Sequence, residues 1–152
     1  MKYWIVFALL FHWSVSEAAG TEMQIRFAFH RIASENDLNV FISNCESSDW
    51  NKADLYKSVA TMRKAEYVLS PLKKFEYFKL GKEAIEAFLK ANPEDVEVRY
   101  LRLMVQNNLP KFLGYSSQME EDRLFVTRNL ESSNLPLDFQ SLIRQNMKTI
   151  KA

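Results

Sequence analysis

Residues 92–108 read NPEDVEVRYLRLMVQNN and contain the most complete helix signal of the chain. Asn92 and Pro93 provide an N-terminal cap and a first-turn proline. Glu94 and Asp95 place negative charge at the positive end of a helix dipole. The stretch therefore predicts a helix that ends near residue 108, and the neighbouring segments can be assigned outward from it.

Prolines and glycines are scarce, and they separate segments that have helical periodicity. The chain has four prolines and three glycines, and both residue types interrupt helices. Ser70 and Pro71 predict the start of a helix that reaches Ala91, and Pro136 precedes a terminal helix. The predicted helices cover approximately residues 21–33, 35–45, 50–69, 71–91, 93–108, 118–131 and 137–150. No segment alternates as a strand does, so the sequence predicts an all-α fold, an irregular antiparallel array of about seven helices.

Some helix starts and buried faces can be assigned in more detail. Two predicted helices begin with a capping box, formed by Ser34 with Asp37 and by Ser117 with Glu120. In the third predicted helix, Leu69 lies at the end of the apolar face. The apolar face of the fourth predicted helix comprises Phe75, Phe78, Gly81, Ile85 and Phe88.

The first residues have the pattern of an export signal. The apolar run from Trp4 to Trp13 is about ten residues long, whereas a membrane span needs about twenty. Ser16 and Ala18 supply the small side chains of a signal-peptidase site. We therefore expect residues 1–18 to be a signal peptide and residues 19–152 to form one helical domain, periplasmic or secreted. No stable membrane anchor is expected after cleavage, and an uncleaved anchor is the alternative.

Composition restricts the classes of partner and of chemistry. Twenty basic and nineteen acidic side chains leave a net charge of +1, so no overall field favours nucleic acid or an anionic membrane. The mature chain would keep one cysteine, Cys45, and one histidine, His30, and it therefore has neither a disulfide nor a cluster of metal ligands. No metal and no cofactor are expected.

Residues 82–100, which read KEAIEAFLKANPEDVEVRY, resemble the second helix and following turn of a tetratricopeptide repeat. The spacing of Leu89 and Pro93 fits the family, and Gly81 matches a small-residue position. Phe88 stands where the family usually has alanine, and no second copy follows at a 34-residue period. The resemblance implies a helical array that binds a partner protein or peptide. Residues 99–115 are also similar to exported helical proteins of Bacteroidetes-type bacteria for which no activity is known.

The segment from Arg99 to Tyr115 departs from local rules and is the candidate binding site. Arg99, Arg102 and Gln106 lie at i, i+3 and i+7 and form a polar stripe along one helix. A loop that contains Phe112 and Tyr115 follows them. The inward side of the same helix is expected to comprise Val98, Leu101 and Val105. Two guanidinium groups and an amide beside an aromatic loop could hold a carboxylate of a partner.

A structural role for the same stripe is the competing hypothesis. Arg99 could pair with Asp95 one turn earlier, and Arg102 with a carboxylate of the next helix, which would fix the loop. The sequence alone leaves both hypotheses open.

Catalytic chemistry has little support in the sequence. His30 lacks a nucleophile with a recognisable motif, and Cys45 lies on an apolar stripe that predicts an inert, buried thiol. Lysines interleave with aromatic residues around Phe75, but helical spacing places the phenylalanines inward and the lysines in solvent. The sequence therefore favours a non-catalytic protein or peptide interaction module. A hydrolase-like enzyme of unfamiliar type is the alternative.

Overall fold

Helices account for all of the regular structure within residues 21–150, the part of the chain that the computed structural model describes. The α-helices are α1 (Glu22–Phe29), α2 (Glu35–Glu46), α3 (Ala53–Thr61), α4 (Pro71–Ala91), α5 (Val96–Asn108), α6 (Met119–Asn129) and α7 (Leu137–Met147). Two 3-10 helices, Met62–Glu66 and Lys111–Leu113, follow α3 and α5 respectively. The prediction of an all-α array of seven helices is confirmed for these residues. The predicted signal peptide, residues 1–18, lies outside them.

Side-chain caps fix the starts of several helices. The predicted capping box of α2 is present, because Ser34 accepts from the backbone of Asp37 and Asp37 accepts from the backbone of Ser34. Thr21 and Gln24 form a second capping box at α1. Ser70 caps α4 as predicted. Such caps satisfy backbone donors that the first turn of a helix leaves unpaired.

The start of α5 differs from the prediction. Asp95, and not Asn92, is the cap of α5, and its carboxylate accepts from the backbone N–H of Val98 at 3.0 Å. Asn92 instead ends α4, where its side chain donates to the carbonyl of Phe88. Because α4 continues to Ala91, residues 92–95 are needed for the turn between the two helices.

The third predicted helix is too long at both ends. Regular α-helix runs only from Ala53 to Thr61, and the chain then tightens into the 3-10 helix Met62–Glu66. Leu69, which was expected on the apolar face, is 98% exposed. The chain must reverse between α3 and α4, which pack together, and the residues before Ser70 form this connection.

Two further expectations are wrong at helix ends, and one is wrong on a helix face. Gln118 precedes α6 without a side-chain cap, so Ser117 does not form the predicted capping box. The last helix ends at Met147, and Ile150 lies beyond it. Phe75 is 52% exposed rather than buried, and it lies in the lining of a half-open cavity.

Helix α5 lies between two apolar cores. Eight of its 13 residues are buried, and they face both sides of the helix. Val98 and Leu101 pack into a core built from α1 to α5. Tyr100 packs into a second core with residues of α6 and α7, and Met104 contacts both cores. Val98 and Leu101 of the predicted inward face are buried as expected, and Val105 is partly buried against the first core. Other residues of α5, such as Tyr100, are buried although they lie outside that face.

Candidate functional site

The structure places Arg102 in a buried ion pair between α5 and α6. Its guanidinium donates to both carboxylate oxygens of Asp122, with Nε–Oδ2 at 2.6 Å and Nη2–Oδ1 at 2.8 Å. These hydrogen bonds raise the pKa of Arg102 further above its ordinary value. Bidentate pairs of this kind are strong and directional. Asp122 is the carboxylate of the next helix that the structural hypothesis required.

Arg99 contributes to the same ion-pair cluster from the preceding turn of α5. Its Nη1 atom lies 2.9 Å from Glu121 Oε1 and 3.1 Å from Asp122 Oδ1. The hydrogen bond from Arg99 lowers the pKa of Glu121. The expected pair with Asp95 is absent, since Asp95 instead pairs with Lys52 at 2.8 Å. Both arginines of the predicted stripe therefore converge on Asp122.

Tyr115 and Gln106 lie at the other end of this cluster. The Tyr115 hydroxyl donates to Glu86 Oε1 at 2.5 Å, and the same carboxylate accepts from Arg102 Nη1. Burial and this hydrogen bond raise the pKa of Tyr115. Gln106 is buried and donates to Gln118 Oε1 at 3.1 Å, while its own Oε1 has no hydrogen-bond partner among the described residues. We call Arg99, Arg102, Glu86, Tyr115 and Asp122 the polar cluster.

Phe112, the remaining predicted site residue, lies apart from the polar cluster. It belongs to the second 3-10 helix and is 85% exposed. The sequence therefore grouped residues from two different surfaces. Phe112 instead lies on the rim of an apolar groove, which the sequence did not reveal.

The apolar groove is a half-open cavity of about 910 Å³. It is formed by the end of α1, by α3 and its 3-10 helix, by the first turns of α4, by the last turns of α5 and by the second 3-10 helix. The apolar side chains that line it are Phe29, Val59, Met62, Ala65, Pro71, Phe75, Phe78, Met104, Val105, Leu109, Pro110, Phe112 and Leu113. The one sequence signal for this groove is the unusual apolar content of the loop that follows α5.

Exposed apolar and basic side chains lie on or beside the segments that form the groove. Leu72, one turn from Phe75 in α4, is 68% exposed. Lys74 lines the groove, Lys73 precedes it, and Lys111 precedes Phe112. No ion pair of these three lysines exists among the described residues.

His30 lies half-buried at the end of α1, where the inner wall of the groove meets the second core. Burial lowers the pKa of His30 to about 4, so the imidazole is neutral at pH 7. Its Nδ1 atom is 3.4 Å from the amide nitrogen of Asn146. Nε2 is enclosed and has no hydrogen-bond partner in the part of the chain that the structure describes. His30 therefore fills space between aromatic rings, which include Tyr100 and Phe139.

Cys45 has the buried position that its sequence context predicts. It packs into the first core, and burial raises the pKa of its thiol to about 12. Because the thiolate is the reactive form, this thiol is inert at neutral pH.

A second ionic cluster surrounds Glu97, which the sequence analysis did not single out. Arg26 donates to both carboxylate oxygens, at 2.6 and 2.9 Å, Lys52 lies 2.7 Å away, and Tyr56 donates its hydroxyl at 2.8 Å. Burial alone would raise the pKa of Glu97, but these cations outweigh it and lower the pKa. The cluster joins α1, α3 and α5 and borders a second cavity of about 480 Å³. Its charges are compensated within the fold.

Residues 21–150 contain neither a cluster of potential metal ligands nor a helix that could span a membrane. No group of three or more histidine, cysteine, aspartate or glutamate side chains is arranged there to hold a metal ion. None of the described helices has the length and apolar character required to cross a bilayer. Comparisons of the chain with protein-family models, with curated proteins and with solved structures found no match.

Proposed function

We propose that the chain is a non-catalytic interaction module whose apolar groove binds a segment of a partner polypeptide. The observation that supports this proposal is the groove of about 910 Å³ with its exposed apolar rim. Sites for specific ligands generally have volumes of roughly 300 to 1,000 Å³ and mostly apolar walls. The groove has both properties.

The shape of the groove favours a helical segment as its occupant. Helices bind to other proteins by laying residues at i, i+3, i+4 and i+7 into an apolar groove. The groove is half-open, and its apolar lining includes the exposed side chains of Phe75 and Phe112. Contiguous exposed apolar surface of this kind is typical of protein interaction sites.

We assign the polar cluster a supporting role in this proposal. Tyr115 follows the second 3-10 helix closely in the chain, and its bond to Glu86 ties that segment to α4. Arg102 joins the same carboxylate to α6 through Asp122. The cluster thereby holds Phe112 opposite the first turns of α4.

The test is binding of apolar helical peptides to the purified chain. Peptides are selected by display from a random library and titrated by fluorescence anisotropy. Truncation of a rim residue that contacts the peptide should cost more than about 1 kcal/mol, so Phe112→Ala should weaken binding at least about fivefold. The matched control is Leu137→Ala, because Leu137 is 78% exposed but does not line the groove.

Each result of this experiment has a clear reading. Weaker binding by Phe112→Ala alone supports the groove as the site. Equal weakening by both variants, or failure to select any peptide, contradicts the proposal. In a parallel thermal-shift screen, stabilisation by one metabolite class and by no peptide would favour the alternative of an enzyme.

Export is a separate proposal, and it rests on the sequence pattern of residues 1–18. If this segment is a cleaved signal, the mature chain begins at Ala19. Intact-mass analysis of material recovered outside the cytoplasm measures this directly. A mass that includes residues 1–18 would mean an uncleaved anchor.

A further inference from the structure

We infer that the partner segment is an acidic amphipathic helix, with apolar anchors in the groove and aspartate or glutamate side chains against the lysines at its mouth. This inference rests on the proposed function and adds the charge of the partner to it.

The charge around the groove differs from that of the chain as a whole. Residues 63–82, which include the first turns of α4, contain six basic and two acidic side chains. Lys111 adds another positive charge beside Phe112. The net charge of the whole chain is only +1, so the other segments are acidic in sum. Three of these charged side chains line the groove itself, Arg63, Glu66 and Lys74, and their sum is positive.

The lysines at the groove mouth are also available to a partner. Elsewhere the arginines of the polar cluster are paired with Asp122 and Glu86, and Arg63 in the groove wall is paired with Glu66. Lys74 lines the groove but has no carboxylate partner among the described residues. Lysines that lack an ion-pair partner at the edge of an apolar site attract acidic ligands. They raise the rate at which such ligands associate and disfavour ligands of the same charge.

One helical segment could contact both the apolar groove and the lysines beside it. Protein interfaces generally combine an apolar centre with a polar rim, and the groove with its lysines has this arrangement. A helix of about 10 Å diameter can place one apolar face in the groove and its acidic flanks on the rim. An anionic bilayer would match the charge, but a flat surface cannot fill a concave groove.

The experiment compares two synthetic helical peptides with identical leucine anchors, one with glutamate and one with lysine at the flanking positions. Binding to the full chain is measured by fluorescence anisotropy at low and high salt. We expect the glutamate peptide to bind about tenfold more tightly at low ionic strength, with a smaller difference in about 0.5 M salt because exposed charges are screened.

Lys74→Glu and Lys90→Glu form a matched pair of variants. Both residues lie on α4 and both changes reverse one charge, but the positions are separated by sixteen residues, about 24 Å along a helix. Lys74→Glu should weaken binding of the glutamate peptide about fivefold and strengthen binding of the lysine peptide. Lys90→Glu should change either affinity less than twofold. Circular dichroism melts confirm that both variants fold, and Lys74→Gln provides a smaller charge change at the same position.

The outcomes separate this inference from the proposed function. Equal binding of both peptides overturns the inference and leaves the groove as a binding site. Binding of neither peptide, together with failure of the display selection, overturns the proposed function as well. Vesicles of phosphatidylglycerol and of phosphatidylcholine test the bilayer. Tight binding to the anionic vesicles that displaces the glutamate peptide would overturn the inference in favour of a membrane surface.

Discussion

Gly81 is the residue at which α4 approaches the first 3-10 helix most closely. A Cβ atom at this position would overlap Sδ and Cγ of Met62 and would lie 3.1 Å from the carbonyl oxygen of Ser58. Met62 is itself buried and packs with Phe78 and Tyr115 in a small core beneath the groove. The absence of a side chain at Gly81 thus sets the distance between two walls of the groove.

We therefore expect Gly81→Ala to destabilise the protein by about 1 to 3 kcal/mol, the usual cost of overpacking. This would occur although alanine favours a helix over glycine by about 1 kcal/mol. Urea unfolding measures the change. The loss of stability should be smaller when Gly81→Ala is made in a Met62→Ala background. A Gly81→Ala single variant that is more stable than the parent would contradict the close contact between Gly81 and Met62.

Arg102→Ala tests the buried ion pair. Removal of one partner leaves the carboxylate of Asp122 buried without its bidentate donor, which typically costs about 3 to 5 kcal/mol. The control is Arg123→Ala, whose pair with Glu120 is exposed and should contribute little to stability. Denaturant melts of both variants provide the comparison. If Arg102→Ala unfolds like the parent but loses peptide binding, Arg102 belongs to the binding site instead.

His30 should make stability depend on pH. The ordinary histidine pKa of 6.5 falls to about 4 in the fold, so the unfolded chain binds more protons than the folded chain between these values. The free energy of unfolding therefore decreases as the pH falls through this window. We expect a loss of about 2 kcal/mol between pH 7 and pH 5, measured by urea unfolding. In His30→Gln the loss should disappear, and an unchanged slope in that variant would mean that other groups cause it.

At the scale of helices, two leucines that share a sequence prediction occupy opposite environments. Leu101 in α5 is fully buried, whereas Leu69 lies before α4 and is 98% exposed. Leu101→Ala should destabilise by about 2 to 5 kcal/mol because it leaves a cavity in a packed core. Leu69→Ala should change the free energy of unfolding by less than about 0.5 kcal/mol. Equal effects in chemical denaturation would contradict these assignments.

The sequence predicts the presence of each helix more accurately than it predicts the residues at which each helix begins and ends. Hydrophobic periodicity and capping residues act within a few residues, so they located α2 and the start of α4. The end of α3 depends on a reversal of the chain direction, which no local residue specifies. At α5, Asn92 and Asp95 are both good caps, and the choice between them depends on the length of the preceding helix.

At the scale of the whole molecule, the groove illustrates what sequence patterns omit. Its walls come from α1, α3, α4, α5 and both 3-10 helices, so only the tertiary arrangement brings them together. The sequence did single out Phe112, because the loop that follows α5 is rich in apolar side chains. Pairing of Arg102 with a carboxylate of the next helix was one of the two hypotheses that the sequence left open. The sequence could not show that Tyr115 belongs with Arg102 while Phe112 faces another surface, because residues three apart in a loop have no fixed relation.

The position of α5 between the two cores has a consequence for the order in which the chain can fold during synthesis. The first core lacks Val98 and Leu101 until α5 has been made, and the second core also needs residues of α6 and α7. A nascent chain that ends at Ala91 therefore lacks the part of the first core that α5 contributes, and domains generally fold as units when they are complete. The first core can therefore be completed only when roughly the first two-thirds of the chain has been made, and the second core only after α7 has been made.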